Sequence, residues 1–285
     1  MTSPPVRHEL NREFVWRDHD GPRRLLTAEQ VAGFDRDGFV RVDDAFSPEV
    51  VEQMVREIDP FEAEMEDLLR DAGGQLFIAR ADEITFTVHL VARSAVLRAL
   101  SASAPLVDLA HDLVGPDTHL YWDQSVYKKP HTDAPFPWHQ DNGYAFVVPQ
   151  AYLTCWVALT DTDETNGCPW VVPGLHRGGT LAHRATDLGF VCLDDAPDAI
   201  AVPARAGSIV AFSSLTPHCT GPNTTDTTRK SWIVQYAPSD ALIHRPRADG
   251  GHDRIALDAP ERQYAVLIDG TPVPPGDGAV PTLRS

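Results

Sequence analysis

Two spacings of hydrophobic residues divide the chain. Up to about residue 117 the apolar positions recur at helical intervals. In LLTAEQVAGFDRDGFVRV, Thr27 followed three residues later by Gln30 predicts a capping box at a helix start. Leu26 precedes the cap, Val31 and Phe34 form an apolar face, and Gly38 marks the stop before a short strand over Phe39-Val40-Arg41-Val42. Ser47-Pro48 opens a second helix, with Val50, Val51, Met54, Val55 and Ile58 at helical spacing. RSAVLRALSASAPLVDLAHDLV, residues 93–114, predicts two shorter helices around Pro105.

From about residue 118 the pattern changes. HLYWDQSVY, AYLTCWVALT, CPWVV, AIAVPA, SIVAFSS and SWIVQYA are short runs rich in β-branched and aromatic residues, separated by Gly-, Pro- and Asn-rich segments. Strands at this spacing, with no helices between them, predict an all-β sandwich or barrel rather than a parallel sheet. No internal repeat is visible. The tail from Pro246 onward, ending in TPVPPGDGAVPTLRS, reads as loop. The expected organisation is one domain over 1–285: a helix-rich part to about 117, a β core over about 118–240 and a loop-rich segment over 241–285.

Composition adds limits. The 285 residues suffice for a substantial core, and 42% hydrophobic with 23% charged is ordinary for a globular protein. No apolar run reaches the roughly 18–20 residues a membrane span needs. The opening MTSPPVRHELNREF lacks the apolar centre of a secretory signal, so a cytoplasmic protein is expected. With 24 basic and 41 acidic residues the net charge is −17, which disfavours nucleic-acid binding and bulky polyanions such as coenzyme A esters. Cys155, Cys168, Cys192 and Cys219 form no C-x-x-C pair, which fits reduced thiols.

The chemistry concentrates in KKPHTDAPFPWHQDNGYAF, which holds His-x-Asp twice. His131-Thr132-Asp133 lies between prolines that disfavour a paired strand, and reads as a solvated loop. His139-Gln140-Asp141 follows the last of those prolines. In an extended segment residues two apart point to one side, so His139 and Asp141 would share a cavity. A third ligand has a candidate in His218, which closes a loop after an apolar strand. Two histidines and a carboxylate form a facial triad that leaves three positions open on octahedral iron(II), enough for a chelating α-keto acid and dioxygen. Arg229 stands eleven residues beyond His218, and its planar fork suits the far carboxylate of such a cosubstrate; Thr220 can share it.

WHQD, then YLTCWVALTDTDETNGCPWVVPGLHRGG and HCTGPNTTDTTRKSWIVQYAP, together resemble the phytanoyl-CoA dioxygenase family, as does the opening LTAEQVAGFDRDGFVRVDDAFSPEVVEQM. The resemblance covers about residues 26–238. It implies a double-stranded β-helix (jelly roll, cupin-like) with iron(II) as cofactor and 2-oxoglutarate and dioxygen as cosubstrates. His139, Asp141 and His218 would bind iron. Arg229 would pair with the distal carboxylate of 2-oxoglutarate, with Thr220 where the family often has serine. Trp156 matches a tryptophan lining the cosubstrate pocket, and Gln124 resembles a polar residue that contacts 2-oxoglutarate in the ectoine-hydroxylase branch, with Lys128 as its alternative. The common Pro-Gly-Ser-His segment departs here to Pro173-Gly174-Leu175-His176. Related halogenases replace the carboxylate by a small residue; its presence as Asp141 implies hydroxylation or another oxidation instead.

The expected reaction is oxidation of a C–H bond of a small molecule, with an Ala/Arg/Asp/Pro-rich composition pointing to bacterial specialised metabolism. Pocket candidates are Tyr144, Phe146, Trp170, His176, His183 and the segment Phe77–Phe86. Two other readings remain open at this point: a non-catalytic jelly-roll binding protein, and a cupin-type metal enzyme without 2-oxoglutarate. Nucleic-acid and membrane partners are not expected, and oligomeric state is not legible.

Overall fold

The structure, a computed structural model, describes residues 5–276. The first helix, α1 (Ala28–Asp37), starts at the predicted box: Thr27 Oγ1 accepts from Gln30 N at 3.2 Å and Gln30 Oε1 from Thr27 N at 2.9 Å. Gly38 ends it with φ +86°, and a β-carbon there would lie 2.5 Å from both His176 Nδ1 and Thr216 Oγ1. The second helix, α2 (Pro48–Asp71), runs through Pro60 for 24 residues. Its buried side includes Val51, Met54, Ile58 and Leu69. Next come α3 (Ala95–Ser101) and α4 (Ala104–Leu113), the latter with Pro105 in its first turn.

Two antiparallel sheets face each other. The larger orders its strands Phe39–Val42, Ile209–Ser213, Leu153–Ala158, Arg229–Pro238, Thr118–Lys128, Ile84–Val88, Ala79–Arg80 and Gln75–Leu76. The smaller orders Ile200–Ala201, Pro169–Val171, His218–Thr220 and Phe136–His139. The architecture is the expected jelly roll.

Alternation along the Arg229–Pro238 strand shows how one sequence serves two cores. Trp232, Val234 and Tyr236 face the helices, where they join Phe34, Met54, Ile58, Leu97 and Leu109 in the main core. Arg229, Ile233 and Gln235 face inward, where Ile233 joins Val126, Trp156, Val171, Val210 and Phe212 between the sheets. Trp232 is fully buried, so its truncation to alanine should cost about 3–5 kcal/mol.

The C-terminal segment departs from the loop expected beyond Pro246. Leu242–Pro246 and His252–Ala256 form a hairpin, and Ala265–Ile268 pairs with the start of the Thr118–Lys128 strand while Val266 and Leu267 are buried. The density of Pro, Gly and Asp hid these short strands. Residues 277–285, the end of the predicted loop, lie outside the described residues. No described helix is long and apolar enough to cross a membrane.

Candidate active site

The smaller sheet brings the distant histidines together. His139 ends the Phe136–His139 strand, His218 begins its neighbour, and the two stand opposite each other in register. Gln140 is extended (φ −111°, ψ 142°) before a turn begins at Asp141, so His139 and Asp141 project to the same side. Gln140 itself is buried on the other side, where its amide donates to Leu215 O at 2.5 Å and accepts from Leu181 N at 2.6 Å. Both imidazole Nε2 atoms lie 3.8 Å from Asp141 Oδ1. One ligand atom from each of the three residues falls within 4.8 Å of the others, a spacing that could hold a metal.

Hydrogen bonds preset each group. His139 Nδ1 donates to Pro137 O at 2.8 Å and His218 Nδ1 to Thr216 O at 3.0 Å, leaving both Nε2 lone pairs toward the shared point. Burial, and then His218, pushes the His139 pKa down to about 3; burial pushes His218 to about 4. Both rings are neutral, as ligation requires. Thr154 Oγ1 donates to Asp141 Oδ2 at 2.5 Å, and Gln235 Nε2 donates to Thr154 Oγ1 at 3.1 Å. Burial raises the Asp141 pKa, opposed by His139 and the Thr154 hydroxyl. The sequence reading missed Thr154 and Gln235; the signal was a polar residue at an inward position of each of two apolar strands.

The triad borders a cavity of about 520 Å³ between the sheets, within the range of small-ligand sites. Arg229, Thr220, Trp156 and Gln124 line it too. Arg229 is fully buried; its Nη1 donates to Val126 O at 3.0 Å and Ser231 Oγ at 2.7 Å. Arg229 Nε and Nη2 and Thr220 Oγ1 have no partner among the described residues. Three polar atoms left open beside one cavity call for a ligand with acceptor oxygens, since unpaired buried donors are costly. Burial lowers the Arg229 pKa to about 10, so it stays charged at neutral pH. Its guanidinium carbon lies 5.5 Å from the Trp156 ring centre.

Other candidates fall elsewhere. Lys128 does not line the cavity: its Nζ donates to Ala134 O at 3.2 Å, Thr220 O at 3.5 Å and Gly221 O at 2.5 Å. Of the pocket candidates, Tyr144 and the Phe77–Phe86 segment line the cavity; Phe146, Trp170, His176 and His183 do not. Trp170 pairs with Cys219, whose side chain alternates away from the inward-facing His218 and Thr220. His176 is buried against Trp16 and bonds Asp35 O; Phe146 stacks on His8. His183 Nε2 accepts from Gln140 N, behind the ligand strand. His131 is exposed on the surface, 2.9 Å from Asp226. All four cysteines are free, and burial raises every thiol pKa.

The family profile for phytanoyl-CoA dioxygenase matches residues 34–231. The chain belongs to the phytanoyl-CoA dioxygenase family. It is a 2-oxoglutarate-dependent non-haem iron dioxygenase, with iron(II), 2-oxoglutarate and dioxygen as cofactor and cosubstrates. The chain is 25% identical over 230 residues to a probable alpha-ketoglutarate-dependent hypophosphite dioxygenase of Stutzerimonas stutzeri, covering 76% of this chain and 80% of that one. It is 26% identical over 249 residues to ectoine dioxygenase of Bordetella bronchiseptica, covering 78% and 79%. Among solved structures it resembles the epimerase SnoN, crystallised with Fe3+, alpha ketoglutarate and nogalamycin RO, at TM-score 0.65 and 22% identity over 83% of this chain and 97% of that one. That likeness concerns the fold.

Proposed function

We propose that one oxygenase domain here oxidises a C–H bond of a small molecule, most simply by hydroxylation, in bacterial specialised metabolism. The observation that carries this reading is the pairing, in one cavity, of a converging His139–Asp141–His218 set with an Arg229 fork and a Thr220 hydroxyl that no described residue satisfies. A non-catalytic binding protein would need no such pairing, and a metal enzyme without 2-oxoglutarate would need no open arginine.

In this reading His139, Asp141 and His218 hold iron(II). With 2-oxoglutarate bound as well, the iron would supply the oxidising chemistry that breaks a substrate C–H bond. The protein contributes fixed geometry. Pro137 O and Thr216 O hold the imidazole tautomers, and Thr154 with Gln235 holds the carboxylate. Arg229 Nε and Nη2, with the Thr220 hydroxyl, would hold the distal carboxylate, and Trp156 flanks the guanidinium. Gln124 stands in register with Ile233, which also faces Trp156, and contributes a polar group to the middle of the cavity. A carboxylate at Asp141 favours oxygenation over halogenation.

Succinate release from 2-oxoglutarate in the absence of substrate tests the site. His139→Ala and His218→Ala should abolish it and His131→Ala should leave it intact. The reverse pattern would transfer the ligand role to the first His-x-Asp copy.

A further inference from the structure

The inward rows of the larger sheet run from Arg229, through Ile233 with Trp156 and Gln124, to Gln235 with Thr154 and Trp122. The first end is taken by the cosubstrate in the function proposed above, on which this inference rests. The second end carries a bulge. Gln235 stands opposite Trp122 but Tyr236 opposite Leu120, so Tyr121 is the extra residue and turns onto the cavity wall beside Trp122. The Tyr152 ring meets Tyr121 edge to face at 5.1 Å between centres. Neither phenol hydrogen-bonds a described residue.

The mouth is apolar. Leu68 of α2 and Leu76 and Phe77 of the hairpin between Gln75–Leu76 and Ala79–Arg80 line it, with exposures of 51%, 41% and 75%. Phe77 has φ +55° at a turn position that glycine usually fills. A bulky aromatic held there, facing water, gains nothing from packing within the chain. Across the mouth, Asp187 O accepts from Gln75 Nε2 at 3.5 Å and Arg80 Nη2 at 3.3 Å, so a second hairpin, Arg184–Thr186 with Gly189–Val191, meets the first.

Charge decides the class of occupant. Among the described residues that line the cavity, the only charged side chains are Asp141 and Arg229, both already engaged. A charged substrate would bury its ion without a counter-charge, which apolar contact does not offset. We infer that the substrate is an uncharged, largely apolar small molecule that enters over Phe77 and Leu68 and presents an oxygen to Tyr121.

The probe is N-phenyl-1-naphthylamine, an uncharged fluorophore that brightens in apolar surroundings, titrated anaerobically into protein loaded with iron(II) and 2-oxoglutarate. Saturable binding at one site is expected. Phe77→Asp and Leu68→Asp, both at exposed positions, should each weaken it about tenfold without moving the thermal midpoint. 1-Naphthol should displace the probe, and Tyr121→Phe should weaken naphthol about fivefold while sparing the probe. No binding, an unchanged affinity in both aspartate variants, or tighter displacement by octanoyl-coenzyme A or glycine betaine than by naphthol would overturn the inference. Calorimetry of 2-oxoglutarate on the same samples separates the two readings. If 2-oxoglutarate binds and the probe does not, the substrate class alone falls; if 2-oxoglutarate does not bind, the site reading falls and takes this inference with it.

Discussion

Thr154 donates its hydroxyl to Asp141 Oδ2 at 2.5 Å, and this fixes Asp141 Oδ1 at 3.8 Å from the Nε2 atoms of both His139 and His218. A threonine on the larger sheet thus orients a ligand in the turn that follows a strand of the smaller one. Thr154→Val keeps the shape and removes the donor. It should lower iron(II) affinity about 10–100-fold, the usual effect of losing such support. Thr154→Ser should restore most of it. Equilibrium metal binding checks both.

Arg229 is expected to act on the cosubstrate and not on the metal. Arg229→Gln removes the charge while keeping donors at similar reach. 2-Oxoglutarate binding should weaken by about 1.5–3 kcal/mol, the range for a charge-assisted hydrogen bond. Arg229→Lys should recover only part, because an ammonium cannot engage a carboxylate as a planar fork. Metal affinity without 2-oxoglutarate should be unchanged in both. Calorimetric titrations with and without cosubstrate distinguish the two effects.

His131 belongs to an exposed pair with Asp226. Exposed pairs contribute about 0–1 kcal/mol, so His131→Ala should move urea stability by less than about 1 kcal/mol. Iron binding should not change.

Acid should destabilise the fold partly through His176. Burial lowers its pKa from 6.5 to about 4, opposed by the bond to Asp35 O. Between those values the unfolded chain binds the proton and the folded chain does not, so stability rises with pH through the window. Its contribution is complete above pH 6.5 and is lost as pH falls toward 4. The loss is on the order of 3 kcal/mol for a ring with no solvent exposure. His176→Asn should flatten the slope of stability against pH between 4 and 6.5; an unchanged slope would remove His176 from this role.

Much of this architecture was legible before the structure. The Thr27–Gln30 box, the helix start at Ser47-Pro48 and the split at Pro105 are local signals, each set by backbone groups a few residues apart. The triad was legible because His139 and Asp141 share a side in an extended segment. What escaped depends on partners distant in sequence. Thr154 reads as one more β-branched residue in LTCWVA until Asp141 is placed beside it. Tyr121 breaks the alternation of HLYWDQSVY only because the neighbouring strand slips by one residue. Lys128 lies on the inward side of its strand, yet three carbonyls from other segments claim its ammonium.

The central claim is that His139, Asp141 and His218 hold iron(II) with adjacent positions open to 2-oxoglutarate. The most direct measurement is an anaerobic titration of iron(II) and 2-oxoglutarate monitored in the visible range. Bidentate chelation of an open ferrous site by a 2-oxo acid should give a weak charge-transfer band in the unaltered protein and in His131→Ala, and none in His218→Ala. A folded protein that gives no band, or a band that survives His218→Ala, would contradict it.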